Sequence, residues 1–165
     1  MSKTQIPTGG IADDGVTASK IADAVGLGKI LQVVNVVSNT ETVVSNNTYT
    51  DVGLSLAITP ASTSNKILCT VFCNGVGKFT NNTFAKLILV RGSTTIVDDF
   101  AKEGGNTGST ATNKIGTIGT TFLDSPSSTS EQTYKVQMQS GQNNASVQMG
   151  ASGAKSTMTL MEISA

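Results

Sequence analysis

The stretch from Lys66 to Asp99, KILCTVFCNGVGKFTNNTFAKLILVRGSTTIVDD, constrains the fold more than any other part of the chain. Two dense apolar runs, Ile67–Cys73 and Leu87–Val90, are separated by a polar Gly/Asn/Thr region. Arg91-Gly92-Ser93-Thr94 then turns the chain into a third run, Thr95–Asp98. Each run is short, rich in Val, Ile, Leu and Thr, and bounded by Gly or Asn, which selects strands over helices. In Ile67–Cys73 the odd positions are Ile67, Cys69, Val71 and Cys73, and the even ones are Leu68, Thr70 and Phe72. Successive strand residues point to opposite faces, so this strand is apolar on both. A sheet with one wet face alternates apolar with polar. A strand that does not alternate is expected to be covered on both sides, and in a small sandwich a neighbouring subunit is the nearest source of the second cover.

The remainder fits one all-β domain. A chain of 165 residues holds one domain with a real core and hardly two. Charged residues are 13% of it, about half the usual share, and they balance to zero. That leaves no electrostatic footprint for nucleic acid or anionic lipid. No window reaches the roughly 18–20 apolar residues of a membrane helix, and the leading MSKTQIPTGGIADDG has no apolar core of the signal-peptide kind. The glycosylation-like sequons at Asn46, Asn81 and Asn144 are therefore read as Asn-rich turns.

Residues 1–28 differ from the rest. Gly pairs punctuate them, and Val16–Val25 has room for two helical turns with Asp14 or Thr17 near the N-cap and Gly26 as C-cap. Helices this short are marginal alone, so the segment is expected to be a short extended or helical arm that orders against a partner. Residues 29–165 carry the β pattern, beginning with Ile30–Val37 and Thr42–Val44. The cleanest period-2 segment is Tyr49–Ile58, with Val52, Leu54, Leu56 and Ile58 on one face. A long Gly/Thr loop from Ala101 to Asn113 is expected to be functional or mobile. Ile115–Leu123, Thr133–Gln139, Ala145–Met149 and Thr157–Ile163 complete the set. Eight or nine strands with regular turn signals predict an antiparallel sandwich or jelly roll.

Chemistry is scarce. The chain has no His, which removes the usual Ser/His/Asp and Cys/His nucleophile systems. Cys69 and Cys73 share a strand face roughly 13 Å apart at ~3.3 Å per residue, beyond the ~7 Å reach of a disulfide. With no third Cys or His to complete a zinc site they are read as buried free thiols. Asp98, Asp99 and Glu103 are the one carboxylate cluster in the β domain, too few ligands for Ca²⁺. Gly75-Val76-Gly77-Lys78 and Gly104–Ser109 lack the phosphate-loop pattern and are read as turns. The expectation is a protein that is not an enzyme, with no cofactor and no metal.

The block Tyr49–Pro60 leading through Ser62–Leu68, then Leu89–Ile96 and Phe122–Pro126, resembles the C-terminal jelly-roll domains of tailed-bacteriophage fibre and virion proteins. Those domains are similar to the trimeric tumour-necrosis-factor/C1q fold. The leading IADDGVTASKI, Ile11–Ile21, is similar to the repeats that precede such domains in phage fibres. The resemblance implies an antiparallel jelly-roll β-sandwich of about eight strands and a homotrimer within the virion, assembled in the host cytoplasm. It further implies an arm that docks other virion proteins of capsid or tail through Ile11, Val16, Ile21 and Val25. Ile67, Cys69, Val71, Phe72, Cys73, Leu87 and Leu89 are expected to form trimer interface or core. Asn106, Thr107, Ser109 and Thr110 form a candidate surface-binding loop, with a host-surface glycan as candidate partner. The alternative is a monomeric, lectin-like carbohydrate-binding sandwich. The chain has only Tyr49, Tyr134 and five Phe, and most of these fit core positions, which counts against an aromatic sugar platform.

Overall fold

The computed structural model describes residues 29–101 and 112–165, with residues 113–115 described by backbone alone. The arm, with Ile11, Val16, Ile21 and Val25, and the loop positions Asn106, Thr107, Ser109 and Thr110 lie outside the described residues.

The strands are β1 (Ile30–Ser38), β2 (Thr42–Val44), β3 (Thr50–Ile58), β4 (Lys66–Lys78), β5 (Ala85–Arg91), β6 (Thr94–Val97), β7 (Asn113–Asp124), β8 (Gln132–Ser140), β9 (Val147–Met149) and β10 (Ser156–Ile163), with a 3₁₀ turn at Ala151–Gly153. One sheet has the order β1-β10-β4-β7 and the other β3-β8-β5-β6, every pairing antiparallel. Apart from the β5–β6 hairpin, neighbouring strands in each sheet are distant in sequence, which is the double Greek-key wiring of a jelly roll. The two three-residue strands extend this eight-strand frame: β9 lies beside the far end of β4, beyond β10, and β2 pairs with β9.

Period-2 patterning produces the core. Val52, Leu54 and Ile58 of β3, Leu87 and Leu89 of β5, and Tyr134, Val136 and Met138 of β8 meet Ile67, Cys69, Val71 and Cys73 of β4 and Met158 and Leu160 of β10 between the sheets. Both thiols are buried and unbridged, and burial pushes each up to about 12.

One local expectation is overturned. Gly75-Val76-Gly77-Lys78 is no turn but the second half of β4, which runs for 13 residues. Gly75, at φ +63°, makes an irregularity that lets the strand bend and pairing resume at Val76. A Cβ there would lie 2.5 Å from the Ala151 nitrogen, so the site excludes side chains. Glycine here serves strand continuity, which composition alone reads as a break.

Two polar anchors clamp the end where the domain begins and finishes. Glu162 of β10 is wholly buried and accepts from Gln32 Nε2 (2.6 Å), Asn65 Nδ2 (2.6 Å) and the Ala61 N–H (2.7 Å). Burial pushes its carboxyl up, but these three donors outweigh that, so it sits below the usual carboxylate range. Asp124, ending β7, accepts from Tyr134 Oη at 2.7 Å and pairs with Arg91, so one carboxylate ties the two sheets together. Lys29 and Ser164 exchange hydrogen bonds of 2.8 and 2.9 Å. The domain's first and last residues thus leave side by side, and β4 carries the chain about 40 Å to the opposite end at ~3.3 Å per residue.

Candidate interaction surface

The outward faces of the two sheets differ sharply. On the β3-β8-β5-β6 sheet, Asp51 accepts from Lys135 Nζ (2.8 Å) and Gln137 Nε2 (2.6 Å). The Lys135 bond above all holds the Asp51 carboxyl below its ordinary value. At the loop end Asp99 pairs with Lys86 at 2.8 Å and accepts from Tyr49. Burial, then the Asp99 bond, pushes the Tyr49 phenol upward. This outer face carries charged and amide side chains alongside the buried Ile88 and Val90, and Asp99 belongs to an ion pair with Lys86.

The β1-β10-β4-β7 sheet is different. Registers align three rows across its outer face: Val33–Met161–Leu68–Leu123, then Asn35–Thr159–Thr70–Thr121, then Val37–Thr157–Phe72–Gly119. Rows lie about 7 Å apart and strands about 4.8 Å apart. None of these positions carries a charge. The middle row satisfies part of its own hydrogen bonding, since Asn35 Nδ2 donates to Thr159 Oγ1 (2.9 Å) and to the Met158 carbonyl (3.0 Å). Covering it with another surface would therefore strand fewer polar groups. Phe72 is seated on the Gly119 backbone, where a Cβ would come within 2.7 Å of its ring.

Among the described residues nine large hydrophobic side chains are exposed: Ile30, Leu31, Val33, Val37, Val43, Phe72, Phe79, Phe122 and Leu123. Seven lie on β1, β4 and β7 and one, Val43, on the β2 extension; of these Val33, Val37, Phe72 and Leu123 stand in the outer rows, whereas Phe122 lies opposite the core residue Cys69 at the sheet edge, and the ninth, Phe79, directly follows β4. Scattered apolar residues on a surface mean little, whereas a contiguous patch marks an interaction site.

Of the seven residues expected at interface or core, Ile67, Cys69, Val71, Cys73, Leu87 and Leu89 are fully buried between the sheets. Only Phe72, 48% exposed, stands on the outer face. The second face of β4 is half-covered at Leu68 and Thr70 and open at Phe72. Sequence reasoning missed Leu31, Val33, Val37, Met161 and Leu123. The signal was available in part, because Ile30–Val37 is apolar at both parities just as Ile67–Cys73 is. Of the seven Tyr and Phe, Tyr134 and Phe84 are buried, Tyr49 and Phe100 half-buried, and Phe72, Phe79 and Phe122 exposed. Phe72 and Phe122 point outward or lie at the sheet edge, and Phe79 falls beyond the sandwich.

Among the described residues no group of three or more His, Cys, Asp or Glu is placed to hold a metal ion, and no helix is long and apolar enough to cross a membrane. No protein-family model matches the chain, and no curated protein does. What fold and surface define is an antiparallel jelly-roll sandwich whose exposed large hydrophobic side chains, among the described residues, are concentrated on one sheet.

Proposed function

We propose that the chain is a non-enzymatic virion structural protein, a short homotrimeric fibre or knob of a bacteriophage tail or capsid, anchored by residues 1–28. The observation that carries the self-association is that seven of the nine exposed large hydrophobic side chains among the described residues lie on β1, β4 and β7 of one sheet and none on the other. The jelly-roll wiring supports the reading, because it matches the fold that the sequence resemblance implies. The chain's ends also support it: an arm leaving beside Ser164 would hold the domain at one end and project the opposite loops outward.

Light scattering on the full chain and on a version starting at Gly28 tests the assembly. A trimer in both is expected, with the contacts in the β domain. A monomer in both refutes the self-sufficient trimer and favours the lectin-like sandwich. The virion role is tested by sedimenting a lysate of infected cells that make the protein and probing the fractions with antibody. Recovery solely in the particle-free fraction refutes it.

A further inference from the structure

Asn74-Gly75 is the one Asn-Gly pair in the sequence, and the fold requires each half of it for a separate reason. Asn74 staples β4 to the segment that leads into β10. Its N–H donates to Ser156 Oγ (2.9 Å), its Nδ2 donates to the Lys155 carbonyl, and its own carbonyl accepts from the Gly150 N–H (2.9 Å). Gly75 is held at φ +63°, a conformation that strains any residue with a Cβ. It also lies against the 3₁₀ turn, where an added Cβ would meet the Ala151 nitrogen at 2.5 Å and Ala154 Cβ at 3.0 Å.

The same pair is among the most reactive main-chain sites of a polypeptide near neutral pH. With no side chain on the following residue, the Gly75 nitrogen can reach Asn74 Cγ. The new N–Cγ bond forms, the Cγ–Nδ2 bond breaks, and ammonia leaves with the proton of the Gly75 N–H. Water then opens the cyclic imide at either carbonyl, leaving an aspartate or an isoaspartate at position 74. The first step needs the Asn74 side chain to swing onto the next nitrogen and the backbone between them to leave its strand conformation. In the folded chain Nδ2 is tied to Lys155, the Asn74 backbone is held from Ser156 and Gly150, and Gly75 is wedged against the turn. All of these restraints join parts of the chain about 75 or more residues apart, so all are lost together when it opens.

We propose that Asn74-Gly75 is a latent deamidation site that the fold holds shut, so that unfolding exposes it to a one-way modification that bars refolding. Neither product can rebuild the junction. An aspartate has no donor for the Lys155 carbonyl and turns a carboxylate oxygen toward it. Asn74 Oδ1 already lies buried with no hydrogen-bond partner, so a charge there goes unpaired. An isoaspartate lengthens the main chain of β4 by one atom between Cys73 and Val76, the core residues that pair with Ile118 and Gly116 of β7. Strand pairing and the interior face both depend on that spacing. The inference concerns the β domain alone and holds whether that domain works as a trimer or as a monomer.

The test keeps the full chain at pH 8 with a reductant, native in buffer and unfolded in guanidinium chloride, and follows position 74 by peptide mass mapping with isoaspartate detection. Conversion is expected to run at least tenfold faster in the unfolded chain than in the native one, and faster there than at any other asparagine. The denaturant is then diluted away, and the refolded and aggregated fractions are mapped separately. Converted chains should be at least tenfold depleted from the refolded fraction, and Asn74→Asp should melt below wild type. Equal rates in native and unfolded chains overturn the proposal, as does an absence of conversion in guanidinium chloride. So does refolding of converted and unconverted chains in the same proportion, or a wild-type melting curve for Asn74→Asp.

Discussion

Val33→Asp is the most direct probe of the proposed self-association through the β1-β10-β4-β7 sheet. Val33 is 54% exposed on the edge strand β1 and sits in the row with Met161, Leu68 and Leu123. Because the side chain is already more than half in water, the folded monomer should lose little, about 0.5–1 kcal/mol, mostly from strand preference. The assembled state should lose much more. Burying the exposed half of a valine is worth about 1 kcal/mol, and an unpaired carboxylate in a covered interface adds about 3 kcal/mol or more. A total near 4 kcal/mol weakens each contact by about a thousandfold. Light scattering across a concentration series reads this as a shift of the proposed trimer toward monomer, with a melting curve to show that the fold survives. Ser55→Asp is the control: it puts the same charge on the outer face of the other sheet, opposite Lys135, and should leave the trimer alone. An unchanged dissociation profile for Val33→Asp, or equal disruption by Ser55→Asp, refutes the assignment of the interface to this sheet.

Other outcomes follow from the buried polar anchors and the core. The Glu162 carboxyl is depressed when folded, so its stabilisation is complete above the ordinary value of 4.5 and is lost as pH falls through the folded value. Wild-type melting temperature should drop in acid below that point. Glu162→Gln, which turns an amide donor toward three existing donors, should cost about 1–3 kcal/mol at pH 7 and flatten the acid limb. Arg91→Leu leaves the 6%-exposed Asp124 without its cation and should cost about 3 kcal/mol in urea titration. Tyr134→Phe removes one hydrogen bond to the same oxygen and should cost only about 1 kcal/mol; the reverse order would refute the role given to the ion pair. With both thiols pushed up to about 12, Cys69 and Cys73 should be inert to a thiol reagent at pH 8 until denaturant is added, and rapid native labelling would contradict their burial.

Much of this molecule is written locally. The alternation in Thr50–Ile58 and Gln132–Ser140, and the dense runs at Lys66–Cys73 and Ala85–Arg91, specify strands and their core faces. A side chain's face depends only on its parity along its own strand. The double apolarity of Ile67–Cys73, visible in the same way, pointed to a surface in need of cover. What the chain could not disclose by itself is which strands become neighbours. Val33, Met161, Leu68 and Leu123 form a row only because β1, β10, β4 and β7 pair in one register, and register is a long-range property that no single strand encodes. Tertiary structure alone likewise decided that Gly75 bends a continuous strand, that Glu162 lies beneath three donors, and that Phe79 falls past the end of the sandwich into water. Each of these depends on partners brought from far along the chain, whereas a residue's own identity states only what it needs, not where that need is met.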